Sequence, residues 1–403
     1  MAMNTPAEAQ LAQWRQAAHA CLGRGDLQQA GQLFQRVLEG APDDLEALQV
    51  LGAARLLAGD YSAAAQMLRQ ALIQAPDLFV ERLRLGLALE QLSRPHDALA
   101  AYFGALRTAQ QQGRWLSDET TAPGLREAVK HAMRYVDAGR LAWFRRTLEP
   151  LQQRYGVAEM RRVEHCLEVY LGERSEPIPD PRQRPKFLYF PGIPSQPYYP
   201  RERFAWLDSL EAATDWMRGE LQSVLAQEQG LEAFLGPPPP GQSEQAMLSS
   251  SGPRPAAWDA YFFYRHGERY DANAAACPRT SALLDSLPLT RIRGHAPETL
   301  FSVLSPGTHI LPHTGVTNVR LVTHLPLIVP PDCALRVGRE THIWQEGRCV
   351  TFDDTFEHEA WNRSEQTRAV LILDSWNPDL SEAECAAVTE LIGAIGDFNA
   401  ASA

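Results

Sequence analysis

The sequence predicts an α+β protein in two parts, an all-α stack of helical repeats followed by a β-rich domain. Three observations carry that prediction. A set of positions recurs every 34 residues through the first third of the chain. A burst of prolines interrupts residues 176–185. From Trp258 onward, short β-branched and aromatic runs alternate with turn residues. The expected boundaries are a helical region over 1–175, a linker over 176–185 and a second domain over 186–403. A chain of 403 residues is too long for one ordinary core.

The repeats come first. Gly25-Asp26 returns as Gly59-Asp60, Ala30 as Ala64 and Ala98, and Phe34 as Leu68 and Tyr102. Leu38 returns as Leu72 and Leu106, Ala41-Pro42 as Ala75-Pro76, and Gly52 as Gly86, always at an interval of 34. A small residue followed four places later by a bulky one lets two helices approach and fills the groove between them. Proline opens a helix at little cost, because the N–H it lacks would be unpaired there anyway. The pattern resembles the tetratricopeptide repeat over roughly residues 10–110. One such unit cannot bury its own apolar face, so the units are expected to stack into a solenoid. That solenoid presents a surface to a peptide or partner, or serves as a spacer or dimerisation element.

Residues 119–173 keep helical apolar spacing, in LREAVKHAMRYVDAG and AEMRRVEHCLEVYLGE. Four prolines in EPIPDPRQRP then stop the helices and predict a stiff linker. Beyond it, KFLYFPGIP ends in turn residues, residues 202–228 predict one helix, and GPPPPG at 236–241 predicts a loop. Seven strand-like runs follow: WDAYFFYRHGE, ETLFSVLSPGTHI, VRLVTHLPLIVP, CALRVGRE, THIWQEGRCVTFDD, EAWN and RAVLILDSW. Their spacing of roughly ten residues predicts a sandwich or barrel.

Composition narrows the function classes. Hydrophobic residues make up 45% of the chain and charged ones 22%, as in a globular protein. A net charge of -11 argues against nonspecific nucleic-acid binding and against anionic membrane surfaces. No apolar run of spanning length and no secretory leader are read from the sequence. The six cysteines form no CxxC pair, so neither a zinc site nor a disulfide framework is expected, and the expected compartment is the cytoplasm.

The residues that carry chemistry lie in the β-rich part. His313 stands in PHTG, His358 follows 45 residues later in FDDTFEHEAWN, and Arg368 opens RAVLILD ten residues after that. Imidazoles suit ferrous iron and leave open positions when few of them bind it. A strand-borne guanidinium can grip a buried carboxylate with two hydrogen bonds. This order of residues is that of jelly-roll oxygenases that bind iron(II) and 2-oxoglutarate. The carboxylate common in such sites would stand at position 315, which is Gly315.

The stretch PGTHILPHTGVTNVRLVTHLPLIVP, with WQEGRCVTFDDTFEHEAWN and RAVLILDSWNP, closely resembles the aspartyl/asparaginyl β-hydroxylase family over most of residues 186–380. The resemblance implies a double-stranded β-helix (jelly-roll) oxygenase domain behind the repeats. It implies Fe(II) held by His313 and His358, and 2-oxoglutarate held at its C5-carboxylate by Arg368 and Ser302. It also implies His324 near the C1 end of 2-oxoglutarate and Arg320 on the substrate side. A second arginine of that motif would fall at position 322, which is Val322, so the motif reads Arg-Leu-Val-Thr-His. The implied reaction is hydroxylation of an aspartyl or asparaginyl β-carbon in a peptide or protein guided by the repeats, with O₂ as oxidant. The alternatives are the same chemistry on a free amino acid or other small molecule, and a noncatalytic scaffold. His266, His295, His309 and His342 are read as satisfied core or surface residues. Asp353, Asp354, Glu357 and Glu359 are read as turn or supporting hydrogen-bond groups, and Trp344 and Trp361 as packing.

Overall fold

The computed structural model describes residues 8–227, 229–235, 247–251 and 254–402; the predicted 236–241 loop lies outside them. The chain divides into two compact units, residues 1–143 with 395–403, and residues 144–394.

The first unit opens with six helices, α1 (Glu8–Gly23), α2 (Leu27–Gly40), α3 (Leu45–Leu57), α4 (Tyr61–Gln74), α5 (Phe79–Gln91) and α6 (Pro95–Gln111). The 34-residue period maps onto helix pairs. Ala30, Ala64 and Ala98 are fully buried, and so are Phe34, Leu68 and Tyr102. The fit is close: a Cβ on Gly86 would come within 2.5 Å of the Tyr102 ring. Carboxylates start the helices. Asp26, Asp44 and Asp60 accept the backbone N–H groups of Gln29, Ala47 and Ala63 at 3.0, 2.9 and 3.3 Å, each cap worth about 1 kcal/mol. The turns before α2 and α4 use Gly25 and Gly59 at a φ of +79°. The same turn of the third repeat uses Ser93 at +57°, where a Cβ is strained. Helix α7 (Arg126–Tyr155) crosses the division at residue 143, and α8 (Arg161–Leu171) belongs to the second unit.

The second unit is built on two antiparallel sheets. Its strands are β1 (Tyr198–Tyr199), β2 (Glu232–Ala233), β3 (Leu248–Ser250), β4 (Trp258–Arg265), β5 (Glu268–Arg269), β6 (Thr299–Leu304) and β7 (Thr308–His313). They continue with β8 (Arg320–Ile328), β9 (Cys333–Val337), β10 (Glu340–Ile343), β11 (Val350–Phe352), β12 (His358–Asn362) and β13 (Arg368–Trp376). One sheet runs β1-β11-β8-β13-β6-β4-β2, with β5 added to β4; the other runs β10-β9-β12-β7-β3. All seven predicted runs contain strands. The short β1, β2 and β3 have no signal of their own in the sequence.

The period of two residues explains how this unit layers. In β8, Leu321, Leu325 and Leu327 join a core with Leu207, Leu210, Met217 and Leu221, on the outer face of the larger sheet. Between the sheets, Leu304, Val322 and Phe352 of the larger meet Ile310, Leu335 and Ala360 of the smaller. The helix expected over 202–228 is broken into α9 (Leu207–Ala212) and α10 (Thr214–Gln227). At the break the Thr214 hydroxyl donates to the Glu211 carbonyl at 2.6 Å, a local bond that competes with helix continuation. The remaining helices are α11 (Asp271–Ala276), α12 (Pro278–Ser286) and α13 (Glu382–Ala401).

The proline-rich segment is bonded to the sheets at its end. Gln183 is 2% exposed and donates to Asp353 Oδ2 at 2.9 Å, and the Arg184 N–H donates to the Thr355 carbonyl at 2.7 Å. Among the described residues no helix is long and apolar enough to cross a membrane.

Candidate active site

A cavity of about 220 Å³ opens between the two sheets, and all six residues singled out from the sequence line it: Ser302, His313, Arg320, His324, His358 and Arg368. Strand register brings the histidines together. β7 and β12 pair antiparallel with His313 directly opposite His358, beside an irregularity between His358 and Ala360. Their ring centroids lie 4.1 Å apart. Nδ1 of His313 contacts the Leu311 carbonyl at 2.8 Å, and Nδ1 of His358 contacts the Phe356 carbonyl at 2.9 Å. Each Nδ1 therefore carries its proton, which leaves the Nε2 lone pair free to bind a metal. Burial pushes both pKa values down to about 4, with the His358 ring adding to the effect on His313 and the Lys186 and Arg320 charges to that on His358. Both imidazoles are neutral at neutral pH.

Gly315 follows from the same geometry. A Cβ there would overlap the carboxylate of Asp354. The space that a side chain at 315 would need is filled from another loop, by a group that the sequence reading left as a supporting acid. Among the described residues no set of three or more His, Cys, Asp or Glu side chains is placed to hold a metal. The protein offers two imidazoles.

Arg368 is 1% exposed and has no carboxylate within ion-pair distance among the described residues. Its Nη1 donates weakly to the carbonyl and the hydroxyl of Ser302, both at 3.3 Å, and its buried Nε has no partner. Burial lowers its pKa to about 10, so it stays charged at neutral pH. Ser302 Oγ also accepts the indole N–H of Trp258 at 2.9 Å. With two donors on its oxygen, the Ser302 hydroxyl has its own proton left to give. A buried cation without a counter-ion, beside a hydroxyl with a spare proton, fits a bound carboxylate. His324 is 6% exposed, and its Nδ1 is unpartnered. Burial and the nearby Arg368 charge hold it neutral.

Arg320, expected on the substrate side, lines the cavity with its charge already paired. Its guanidinium is paired with Asp374 and lies 3.4 Å from Asp354. Burial works against its charge, but those carboxylates and Glu298 outweigh it and hold its pKa above the ordinary value.

Sequence reasoning missed Trp258, Glu298 and Asp374, and read Trp344 as packing without saying against what. Trp258 stacks on Phe234 at 3.9 Å, and the Arg368 guanidinium lies 5.0 Å from the Trp344 ring. Trp258 and Ser302 are 44 residues apart. Only strand alternation in a known register could have paired them.

Glu298 yields a pH test. Burial, countered by the His266 N–H and reinforced by Asp374, pushes its pKa up to about 7, whereas an unfolded glutamate titrates near ~4.3. Folded protein therefore keeps this proton longer. The stability it contributes is full below the unfolded pKa and is lost as pH rises through about 7. Glu298→Gln is expected to reduce the loss of stability between pH 5 and 8 by on the order of 2 kcal/mol. Urea unfolding at several pH values measures this, and an unchanged slope refutes it.

Comparison with known proteins adds to this geometry. Residues 211–378 match the model of the family described as aspartyl/asparaginyl beta-hydroxylase, and residues 22–84 match that of the tetratricopeptide repeat. The chain is 27% identical over 354 residues to the human aspartyl/asparaginyl beta-hydroxylase, covering 86% of this chain and 40% of that protein. It is 34% identical over 209 residues to the rat aspartate beta-hydroxylase domain-containing protein 2, covering 50% of this chain and 57% of that protein. It is also 34% identical over 195 residues to the ornithine lipid ester-linked acyl 2-hydroxylase of Rhizobium tropici, covering 47% of this chain and 64% of that protein. The chain thus spans less than two thirds of the length of each of these relatives. The two-histidine cavity thus lies inside the segment, residues 211–378, that matches the aspartyl/asparaginyl beta-hydroxylase family, and the 34-residue helical period ahead of it contains the segment, residues 22–84, that matches the tetratricopeptide repeat.

Proposed function

We propose that the sheet-rich unit is an iron(II)- and 2-oxoglutarate-dependent dioxygenase, with its two sheets forming a double-stranded β-helix. It hydroxylates the β-carbon of an aspartyl or asparaginyl residue in a peptide or protein. One observation carries the reading: the uncompensated Arg368 charge with its Ser302 hydroxyl lines the same cavity as two neutral imidazoles held in register. The first pair suits the distal carboxylate of a dicarboxylic keto acid, and the second suits a ferrous ion.

His313 and His358 would hold the iron through Nε2, with their orientation fixed by the carbonyls of Leu311 and Phe356. When bound, iron and 2-oxoglutarate supply the oxidation: O₂ delivers one oxygen to the substrate C–H bond and one to succinate, with loss of CO₂. The chain's own part is placement and shielding. Arg368 and Ser302 fix the cosubstrate, with Trp258 and Trp344 packed on that pair. Leu300, Ile310, Leu335 and Ile372 line the cavity with apolar surface and keep water from the reacting atoms. The repeats would guide a protein substrate.

The test supplies iron-loaded protein with 2-oxoglutarate, O₂ and peptide libraries with one central Asp or Asn, and reads succinate and peptide mass. Succinate with a one-oxygen gain on the central residue is expected. Succinate without that gain moves the substrate to an amino acid, a lipid or another small molecule. No succinate under any iron condition rejects the oxygenase and leaves the scaffold.

A further inference from the structure

The cavity is short of unpaired positive charge. Five charged side chains line the cavity: Glu298, Arg320, Asp354, Arg368 and Asp374. Arg368 is taken by the cosubstrate in the proposed reading. One guanidinium then faces three carboxylates, and that guanidinium is already paired with Asp374 and Asp354. Glu298 adjoins them, its own N–H donating to Asp374 Oδ2 at 2.8 Å.

Val322 supplies no compensation. It is 7% exposed, lines the cavity and stands opposite Asp374 in the β8–β13 register. Lys186 acts electrostatically on Asp354 and His313, but it is exposed and does not line the cavity. Asp354 Oδ1, by contrast, is a buried acceptor with no hydrogen-bond partner, on a residue 7% exposed. Among the described residues, the part of the cavity away from Arg368 and Ser302 therefore offers an unpartnered acceptor and no unpaired cation.

Resting on the hydroxylase reading above, we infer that this pocket selects a side-chain amide over a carboxylate, so that the substrate residue is asparagine and not aspartate. An aspartyl carboxylate would add a negative charge beside these acidic side chains, in a partly desolvated site, and find no unpaired cation among the described residues to meet it. An amide is neutral and carries two N–H donors for the acceptors that need them. The reaction is balanced as before: the amide residue's β-C–H, O₂ and 2-oxoglutarate give β-hydroxyasparagine, succinate and CO₂. Val322 and Glu298 act as specificity-determining residues, one by withholding a positive charge and the other by adding a negative one.

The test compares kcat/KM for peptide libraries that differ only in a central Asn or Asp, read as a one-oxygen mass gain with succinate measured alongside. Wild type is expected to favour Asn by at least about 100-fold. Val322→Arg, which adds the missing charge, is expected to move the ratio toward Asp by about tenfold or more, whereas Val322→Met, similar in bulk but uncharged, leaves it in place. Glu298→Gln removes one negative charge without adding bulk, and shifts the ratio in the same direction by a smaller factor. It keeps the test open should the arginine variant fail to fold. Equal or better use of Asp by wild type overturns the inference, as does a ratio that neither charge change moves. Succinate without mass gain on either library overturns it and leaves the oxygenase standing. Absence of succinate removes the oxygenase reading and this inference with it.

Discussion

Arg368→Met is expected to raise the melting temperature of the ligand-free protein and to abolish its response to 2-oxoglutarate. The two effects share one cause. The side chain is 1% exposed, contacts the oxygens of Ser302 only at 3.3 Å, and has an orphaned Nε. A buried charge left in that state costs several kcal/mol, and an apolar chain of similar length removes the cost. The same charge is what a bound carboxylate would pay back, through charge-assisted bonds worth about 1.5–3 kcal/mol each. Losing them is expected to weaken 2-oxoglutarate binding by about 100-fold or more. Thermal unfolding with and without 2-oxoglutarate reads both effects. A variant less stable than wild type, still stabilised by 2-oxoglutarate, would show that Arg368 has a structural partner in place of a ligand.

His358→Ala and His313→Ala are each expected to lower succinate formation by at least about 1,000-fold and to abolish stoichiometric iron binding. The large effect follows from the count of donors. The protein offers two imidazoles, the Asp354 carboxylate fills the space beside Gly315, and among the described residues no set of three ligating side chains is placed to hold a metal. A site with one remaining imidazole has no protein chelate left. The double variant is therefore expected to be no worse than either single one, because residues that act as a unit lose their effect together. The fold should survive, since both rings sit at strand ends, are not fully buried, and are hydrogen-bonded to backbone carbonyls of their own segments. Circular dichroism and bound-iron analysis separate loss of metal from loss of structure. Retention of half the bound iron in His358→Ala would contradict the two-histidine centre.

The order of these two expectations mirrors how the site is built. The histidines come from the smaller sheet, and Arg368, Ser302 and His324 come from the larger one. Each strand presents alternate residues inward, so Arg320, Val322 and His324 of β8 reach the cavity while Leu321 and Leu325 reach the helices behind it. Spacing of two in the sequence was enough to group those residues on one face. It could not say what stands across from them.

That limit divides what was legible in the chain from what was not. The 34-residue period determined the helix pairs, because close approach of Gly86 to Tyr102 depends on residues whose separation is fixed within one repeat. The seven β-branched runs determined where most strands lie, and the motifs around His313, His358 and Arg368 determined which side chains to follow. These are local patterns, set by the geometry of one helix turn or one strand pleat. The tertiary structure alone decided that His313 and His358 share a register, that Trp258 holds the Ser302 hydroxyl, that Asp354 fills the space beside Gly315, and that Arg320 is already paired with Asp374. Each of those contacts joins residues on different strands or loops, tens of positions apart in the chain. Their energies depend on desolvation and on partners brought together only by sheet register, which no spacing within the sequence encodes.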